Sequence, residues 1–154
     1  MQVTVRRAQE PDQTAITAMI RRARLNPAGL HWERFMVAED DGRIVGVAQV
    51  RLHRDGAHEL ASLAVAPEVR GRGIATLLID ALVRAETSDL YTLIDRPYAD
   101  HFRRWGFRPI ASARLPRSVA RVHRIGRIVT GVASITTRRR IRIVPLHRPA
   151  AEAR

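Results

Sequence analysis

Arg70-Gly71-Arg72-Gly73-Ile74-Ala75-Thr76 is the stretch of this 154-residue chain whose residue types and spacing could do the most specific chemistry. Two glycines, one residue apart, precede an apolar helical pattern. A helix N-terminus leaves backbone N–H groups without intrahelical acceptors and carries the positive end of the macrodipole, so phosphates are stabilised there. Gly71 and Gly73 remove side chains where a diphosphate would sit, while Arg70 and Arg72 supply charge from the rim. No Gly-Lys-Ser/Thr ending follows, which argues against a P-loop for ATP, and the third glycine of the dinucleotide fingerprint is missing. Taken alone, the segment reads first as a helix-capping loop with surface arginines.

The elements that must hold this segment are legible from periodicity. Residues 3–6 alternate like a short strand, and Asp12 opens a helical pattern through Ile16, Met19 and Ile20 that ends before the breaker Asn26-Pro27. Residues 30–32 read as a connector or a short second helix. Strands at 35–39 and 43–51 flank Asp40-Asp41-Gly42, a hairpin turn, and a second turn at Arg54-Asp55-Gly56 leads into a third strand at 59–65. From Gly73, the apolar Ile74, Leu77, Leu78, Ala81 and Leu82 share one helical face running to about residue 86. A buried strand at 90–94, a short helix at 99–105 stopped by Gly106, a strand at 107–110, a helix at 117–128 and a final edge strand at 140–144 complete the order. The pattern predicts an α/β fold with a mixed, mainly antiparallel sheet flanked by helices. One domain over 1–154 is expected, with 114–154 as an Arg-rich helix and edge strand that completes or extends it.

Composition bounds the function classes. Cysteine is absent, which excludes disulfide staples, thiolate metal sites and a cysteine nucleophile. No apolar run approaches the roughly 20 residues that span a bilayer, and the first residues lack the apolar stretch of a secretory signal, so a cytoplasmic location is expected. All 27 basic residues are arginine, and their distribution is uneven. Residues 1–113 hold 16 arginines against 14 carboxylates, whereas 114–154 hold 11 arginines against Glu152 alone, so the positive field belongs to the C-terminal quarter.

The whole order of elements resembles one family. Residues 59–78, Glu-Leu-Ala-Ser-Leu-Ala-Val-Ala-Pro-Glu-Val-Arg-Gly-Arg-Gly-Ile-Ala-Thr-Leu-Leu, resemble the acetyl-CoA signature of the GNAT superfamily of N-acetyltransferases, Arg/Gln-x-x-Gly-x-Gly/Ala. Arg70, Gly73 and Ala75 stand at its three fixed positions. The later Phe102-Arg103-Arg104-Trp105-Gly106-Phe107 resembles the short helix ending in Gly-Phe of the same family, and residues 26–35 are similar to a bacterial subset of it. The resemblance covers about residues 1–112.

It implies the GNAT acyl-CoA N-acyltransferase fold, with the strands holding Leu63 and Ile94 splayed into a cleft. Acetyl-CoA would be the co-substrate, with no metal. The backbone of Leu63, Ala64 and Val65 would bond the pantetheine arm, and the amides of Gly71, Arg72, Gly73, Ile74, Ala75 and Thr76, beside Arg70, would hold the pyrophosphate. The acetyl group would pass by direct attack in a ternary complex to a small-molecule or protein amine. That amine must first lose a proton. In the histone-modifying branch a glutamate at the matching strand position is the base, which puts Glu59 forward here. Desolvation beside Leu60 and Leu63 would raise its pKa, and the competing reading is an exposed Glu59 paired with an arginine. Many members place a tyrosine as general acid where this chain has Phe102, which leaves Tyr98, His101, water or no acid. His31, His53 and His58 lack metal-ligand spacing, and packing is their default role.

Since the family's final strands help shape the acceptor site, Arg117, Arg121 and Arg124 on one helical face are candidates to recognise an acidic acceptor. Nucleic-acid binding by Arg138, Arg139, Arg140 and Arg142 is disfavoured, because no aromatic side chains interleave with them. Apolar positions over 119–132 fit a core or a homodimer surface equally. The alternative function is an acetyl-CoA-binding sensor or interaction module with little turnover, which the Phe102 substitution favours.

Overall fold

A computed structural model describes residues 1–137 and 140–151, with side chains throughout these except over 128–137. The chain divides into two compact units, Met1–Arg51 with Leu60–Glu86, and Leu52–Glu59 with Thr87–Arg154.

The first unit is built from β1 (Val3–Arg7), α1 (Gln13–Arg22), β2 (Phe35–Asp40), β3 (Arg43–Leu52), most of β4 (His58–Val65) and α2 (Ile74–Ala85). Strand order is β1-β2-β3-β4, with β1–β2 and β2–β3 antiparallel. The β2–β3 turn uses Asp41 and Gly42 at φ 50° and 76°, the left-handed pair that a tight hairpin needs. The periodicity of α1 has a plain consequence: Ile16 and Ile20, one turn apart, are wholly buried against Phe35, Val37 and Val47. Residues 30–32 resolve into a single 3-10 turn displaced to Trp32–Arg34.

Asp12 stands at the N-cap of α1 but makes no side-chain capping bond to that helix. Its carboxylate accepts instead from the Gln9 N–H (2.7 Å) and from the two terminal nitrogens of Arg6 (2.7 and 3.2 Å), while Arg6 also donates to Glu39 (2.9 and 2.6 Å). The Arg6 bond, the larger effect, and the Gln9 N–H hold the Asp12 carboxyl below its ordinary value. A depressed folded pKa means stability that is complete above the unfolded value and is lost as pH falls through the folded one. Asp12→Asn should therefore cost about 1–3 kcal/mol near neutral pH. Melting curves of the two proteins should converge as pH falls through and below the ordinary carboxylate range. A constant gap across that range would refute the assignment.

The second unit holds β5 (Leu90–Asp95), a long 3-10 segment (Arg96–Trp105), β6 (Arg108–Pro109), α3 (Arg117–Thr137) and β7 (Ile143–Arg148). Here the sequence reading needs correction. The last strand begins three residues later than 140 and lies between β5 and β6, antiparallel to both, so it is interior to this part of the sheet. The Arg/Ile alternation at 140–144 misled because only its second half is strand; Leu146, at the centre of β7, is the residue that is buried. Val119 of α3 is wholly buried with Ala57 and Leu115, whereas Ile125 is 56% exposed. Ala120 and Val122 are half-buried, and Ile128, Val129 and Val132 lie outside the described side chains, as do Arg138 and Arg139. Asp55 accepts from the Ser118 N–H (3.0 Å) and hydroxyl (2.8 Å), so the first turn of α3 is capped by a carboxylate distant in sequence.

Across both units the chain is a mixed α/β fold with seven strands, mostly antiparallel, and flanking helices.

Candidate active site

β4 ends at Val65 and α2 begins at Ile74, so the glycine segment is the opening of a helix. Gly71 and Gly73 have φ of +76° and +78°, a backbone region that side chains other than hydrogen enter only at a cost. A Cβ built on either would meet no atom within 4 Å, so both glycines face open space. No side chain caps α2, and its first bond runs from the Leu77 N–H to the Gly73 carbonyl at 3.1 Å. The N–H groups of Ile74, Ala75 and Thr76 precede that bond and have no acceptor within the helix.

The approach to this helix is fixed from both sides. The Ala66 N–H donates to the Val45 carbonyl (2.9 Å), the Val69 N–H to the Ala66 carbonyl (3.1 Å), and Arg43 pairs with Glu68. Beneath α2, a Cβ at Gly46 of β3 would come within 2.9 Å of Ile74 Cγ2 and 3.0 Å of Leu78 Cδ1, so the helix lies where it does because position 46 has no side chain.

A cavity of about 540 Å³ opens at this point, within the range of small-molecule sites. Leu63, Ala64 and Val65 from the end of β4 line it, together with Arg70, Gly71 and Gly73 and with Ile74, Ala75 and Thr76. Nine of the ten residues singled out in sequence therefore share one cavity. Arg72 does not line it; its guanidinium lies 3.5 Å from the Met1 sulfur. Val69 and, after α1, Ala23 and Leu25 complete the wall, and nothing in the sequence marks the last two beyond their place before the Asn26-Pro27 breaker. Just upstream of Leu63, Ser62 holds φ +56° inside a strand and accepts a 2.8 Å bond from the buried Gln49 amide. Strain of this kind costs about 1–3 kcal/mol and concentrates at functional sites.

Glu59 is buried, as its apolar neighbours Leu60 and Leu63 imply. It is 3% exposed, and a histidine is among its partners: Oε2 lies 2.7 Å from His53 Nε2. The turn between them explains the meeting, because the His53 N–H donates to the Ala57 carbonyl (2.9 Å), setting His53 opposite the residue two before Glu59. His53, read in sequence as ordinary packing, is the neighbour of Glu59 that inspection of single positions missed. The hairpin spacing carried the signal.

Phe102 is buried, with edge-on contacts to Trp105 and Phe107 at centroid distances of 5.5 and 5.6 Å. Tyr98 is 54% exposed and makes no hydrogen bond among the described residues. Arg117, Arg121 and Arg124 are exposed along α3 and do not line the cavity at the start of α2. Among the described residues, no group of three or more histidines and carboxylates could hold a metal, and no helix is long and apolar enough to cross a membrane.

Comparison with known proteins follows the same lines. No curated protein sequence matches the chain. In fold it is similar to N-acetylglutamate synthase from Neisseria gonorrhoeae, complexed with coenzyme A and N-acetyl-glutamate, with TM-score 0.74 and 22% identity over 99% of this chain. That match covers only 36% of the synthase. A Mycobacterium tuberculosis protein in complex with CoA gives TM-score 0.69 and 20% identity over 96% of this chain and 99% of that one. Diaminobutyrate acetyltransferase from Paenibacillus lautus, in complex with its substrate and coenzyme A, gives TM-score 0.54 and 23% identity over 68% and 72%. Residues 31–109, just over half of the chain, match the model of the acetyltransferase (GNAT) domain. The chain belongs to the GNAT family of acetyltransferases.

Proposed function

We propose that this chain is an acetyl-CoA-dependent N-acetyltransferase, with the cofactor diphosphate seated on the amides that open α2. The observation that carries this reading is the convergence of two left-handed glycines, an uncapped helix start and the end of β4 on one cavity. These residues fit the group: anionic oxygens suit unsatisfied N–H donors at a helix N-terminus, and the bare glycines leave room for them. Arg70 adds charge beside Val65, whose carbonyl accepts from its Nε at 3.3 Å. Leu63, Ala64 and Val65 would carry the pantetheine arm along the end of β4.

The thioester supplies an activated acetyl group when bound, and the chain's contribution is to position it and to handle the acceptor's proton. The Glu59–His53 pair takes that proton. Glu59 is buried with its Oε2 2.7 Å from His53 Nε2, so a proton taken up by the carboxylate has the imidazole within hydrogen-bond reach. No acid is assigned to the departing thiolate. Phe102 carries no hydroxyl, and a thiol with a pKa of about 8.5 leaves as thiolate near neutrality with little assistance.

The buried, non-acidic Phe102 also favours a second reading, an acetyl-CoA-binding module with little turnover. Calorimetry with acetyl-CoA, followed by thiol release over a panel of amines, polyamines, amino acids and peptides, separates the two. Binding with release on one acceptor class is the expected result. Binding without release across the panel would replace the first reading with the second, and absence of binding would end both.

A further inference from the structure

Gln49 is an amide in the apolar interior of the unit formed by Met1–Arg51 and Leu60–Glu86. It stands two residues from Val47 on β3, on the same face of the sheet, and directly across from Phe35 on β2. Val47 and Phe35 pack with Ile16 and Ile20 of α1, and Gln49 is as fully buried as they are. Its Nε2 donates to Ser62 Oγ of β4 at 2.8 Å, while its Oε1 has no hydrogen-bond partner among the described residues. A buried amide with an unpaired oxygen is destabilising, and methionine would fill a similar volume without that cost. The contribution of the amide therefore lies in its bond to Ser62.

Ser62 is the residue that needs such a bond. Its φ is +56°, and of the other non-glycine residues with positive φ, Arg24 and Asp41 both lie in turns, whereas Ser62 lies inside a strand. A side chain disfavours this backbone region, and one left-handed residue breaks the alternation of a strand. The burial of β4 shows the break: Glu59 and Leu60 are buried in succession, and Ala61, Ser62 and Leu63 are all half-buried. A conformation of this kind persists where its surroundings fix it. The Gln49 amide reaches across from β3 and holds the Ser62 hydroxyl in place.

Leu63, Ala64 and Val65 follow directly and line the cavity at the start of α2, which Gln49 itself does not line. The peptide planes after Ser62 take their heading from its two backbone dihedrals. We infer that Gln49 is a positioning residue for cofactor binding: through Ser62 it aims the backbone of Leu63, Ala64 and Val65 at the pantetheine arm. This inference rests on the reading of the cavity as the coenzyme A site.

Calorimetric titration of the full chain with two ligands tests it: coenzyme A, and 3′-phospho-ADP, which is coenzyme A without the pantetheine arm. Gln49→Met should weaken coenzyme A binding by about tenfold, the worth of one well-placed backbone bond, and leave 3′-phospho-ADP within about twofold. Ser62→Ala keeps the side-chain strain and loses the acceptor, so it should behave alike, and it reads the same contrast should Gln49→Met not fold. Gln49→Met combined with Ser62→Gly should bind coenzyme A within about twofold of the parent, because glycine adopts positive φ without an anchor. A role confined to packing predicts no such recovery. Unchanged coenzyme A affinity in Gln49→Met and Ser62→Ala, an equal loss for both ligands, or no recovery in the double variant would each overturn the assignment. Coenzyme A binding by the parent separates these results from failure of the cofactor reading, and a parent that binds neither ligand ends both.

Discussion

Gly73→Val should lower coenzyme A affinity by at least about 100-fold while leaving the protein folded, and Gly42→Val should leave that affinity unchanged. Both positions have nearly the same left-handed backbone, φ +78° and +76°, and at both an added Cβ would meet nothing within 4 Å. The strain of forcing a branched side chain into that region is therefore similar, of order 1–2 kcal/mol or somewhat more in each case. Melting temperatures should drop by a comparable several degrees. What differs is the space that the side chain enters. At Gly42 it is the solvent around a hairpin turn, and at Gly73 it is the cavity in front of the Ile74, Ala75 and Thr76 amides. Fluorescence or calorimetric titration reads the contrast. Equal losses of affinity in the two variants would show that Gly73 matters only as a backbone hinge.

Glu59→Gln should reduce kcat by about 10²–10⁴-fold, the range for loss of a general base, with the acetyl-CoA dissociation constant unchanged. The amide is nearly isosteric and can still bond His53, so the variant should remain folded. His53→Gln should lower kcat as well if the 2.7 Å contact transmits the proton. A rate and pH profile indistinguishable from the parent would remove both residues from the mechanism.

How much of this was readable in the sequence depended on the range of the interaction. Local signals carried far. The 3.6-residue spacing of Ile16 and Ile20, the Asp41-Gly42 turn and the shift of period at Gly73 each reflect forces acting within a few residues, and the corresponding elements stand where that spacing puts them. The family-specific segment at residue 70 belongs to the same class, because a glycine-rich helix start is a local backbone requirement. Pairings across the chain were harder. That β7 lies between β5 and β6 depends on which strands find one another, which alternation of Arg and Ile cannot express.

The environment of Glu59 was illegible for a related reason. Its flanking Leu60 and Leu63 announced burial, but the partner is chosen by the register of a turn, and His53 and Glu59 become neighbours only once His53 is bonded to Ala57. The C-terminal arginines show the same limit on a larger scale. Helical spacing grouped Arg117, Arg121 and Arg124, yet the α3 arginine that lines a cavity with Arg96 and Arg142 is Arg127. A charge count located the field; only tertiary structure selected its members.

Titration of isotopically labelled protein with coenzyme A, followed by backbone amide NMR, tests the central claim most directly. The Gly71, Gly73, Ile74, Ala75 and Thr76 amide resonances should show the largest displacements, downfield as N–H groups acquire phosphate oxygens. Saturable binding whose largest changes fall elsewhere, or no change at these five amides at millimolar coenzyme A, would contradict it.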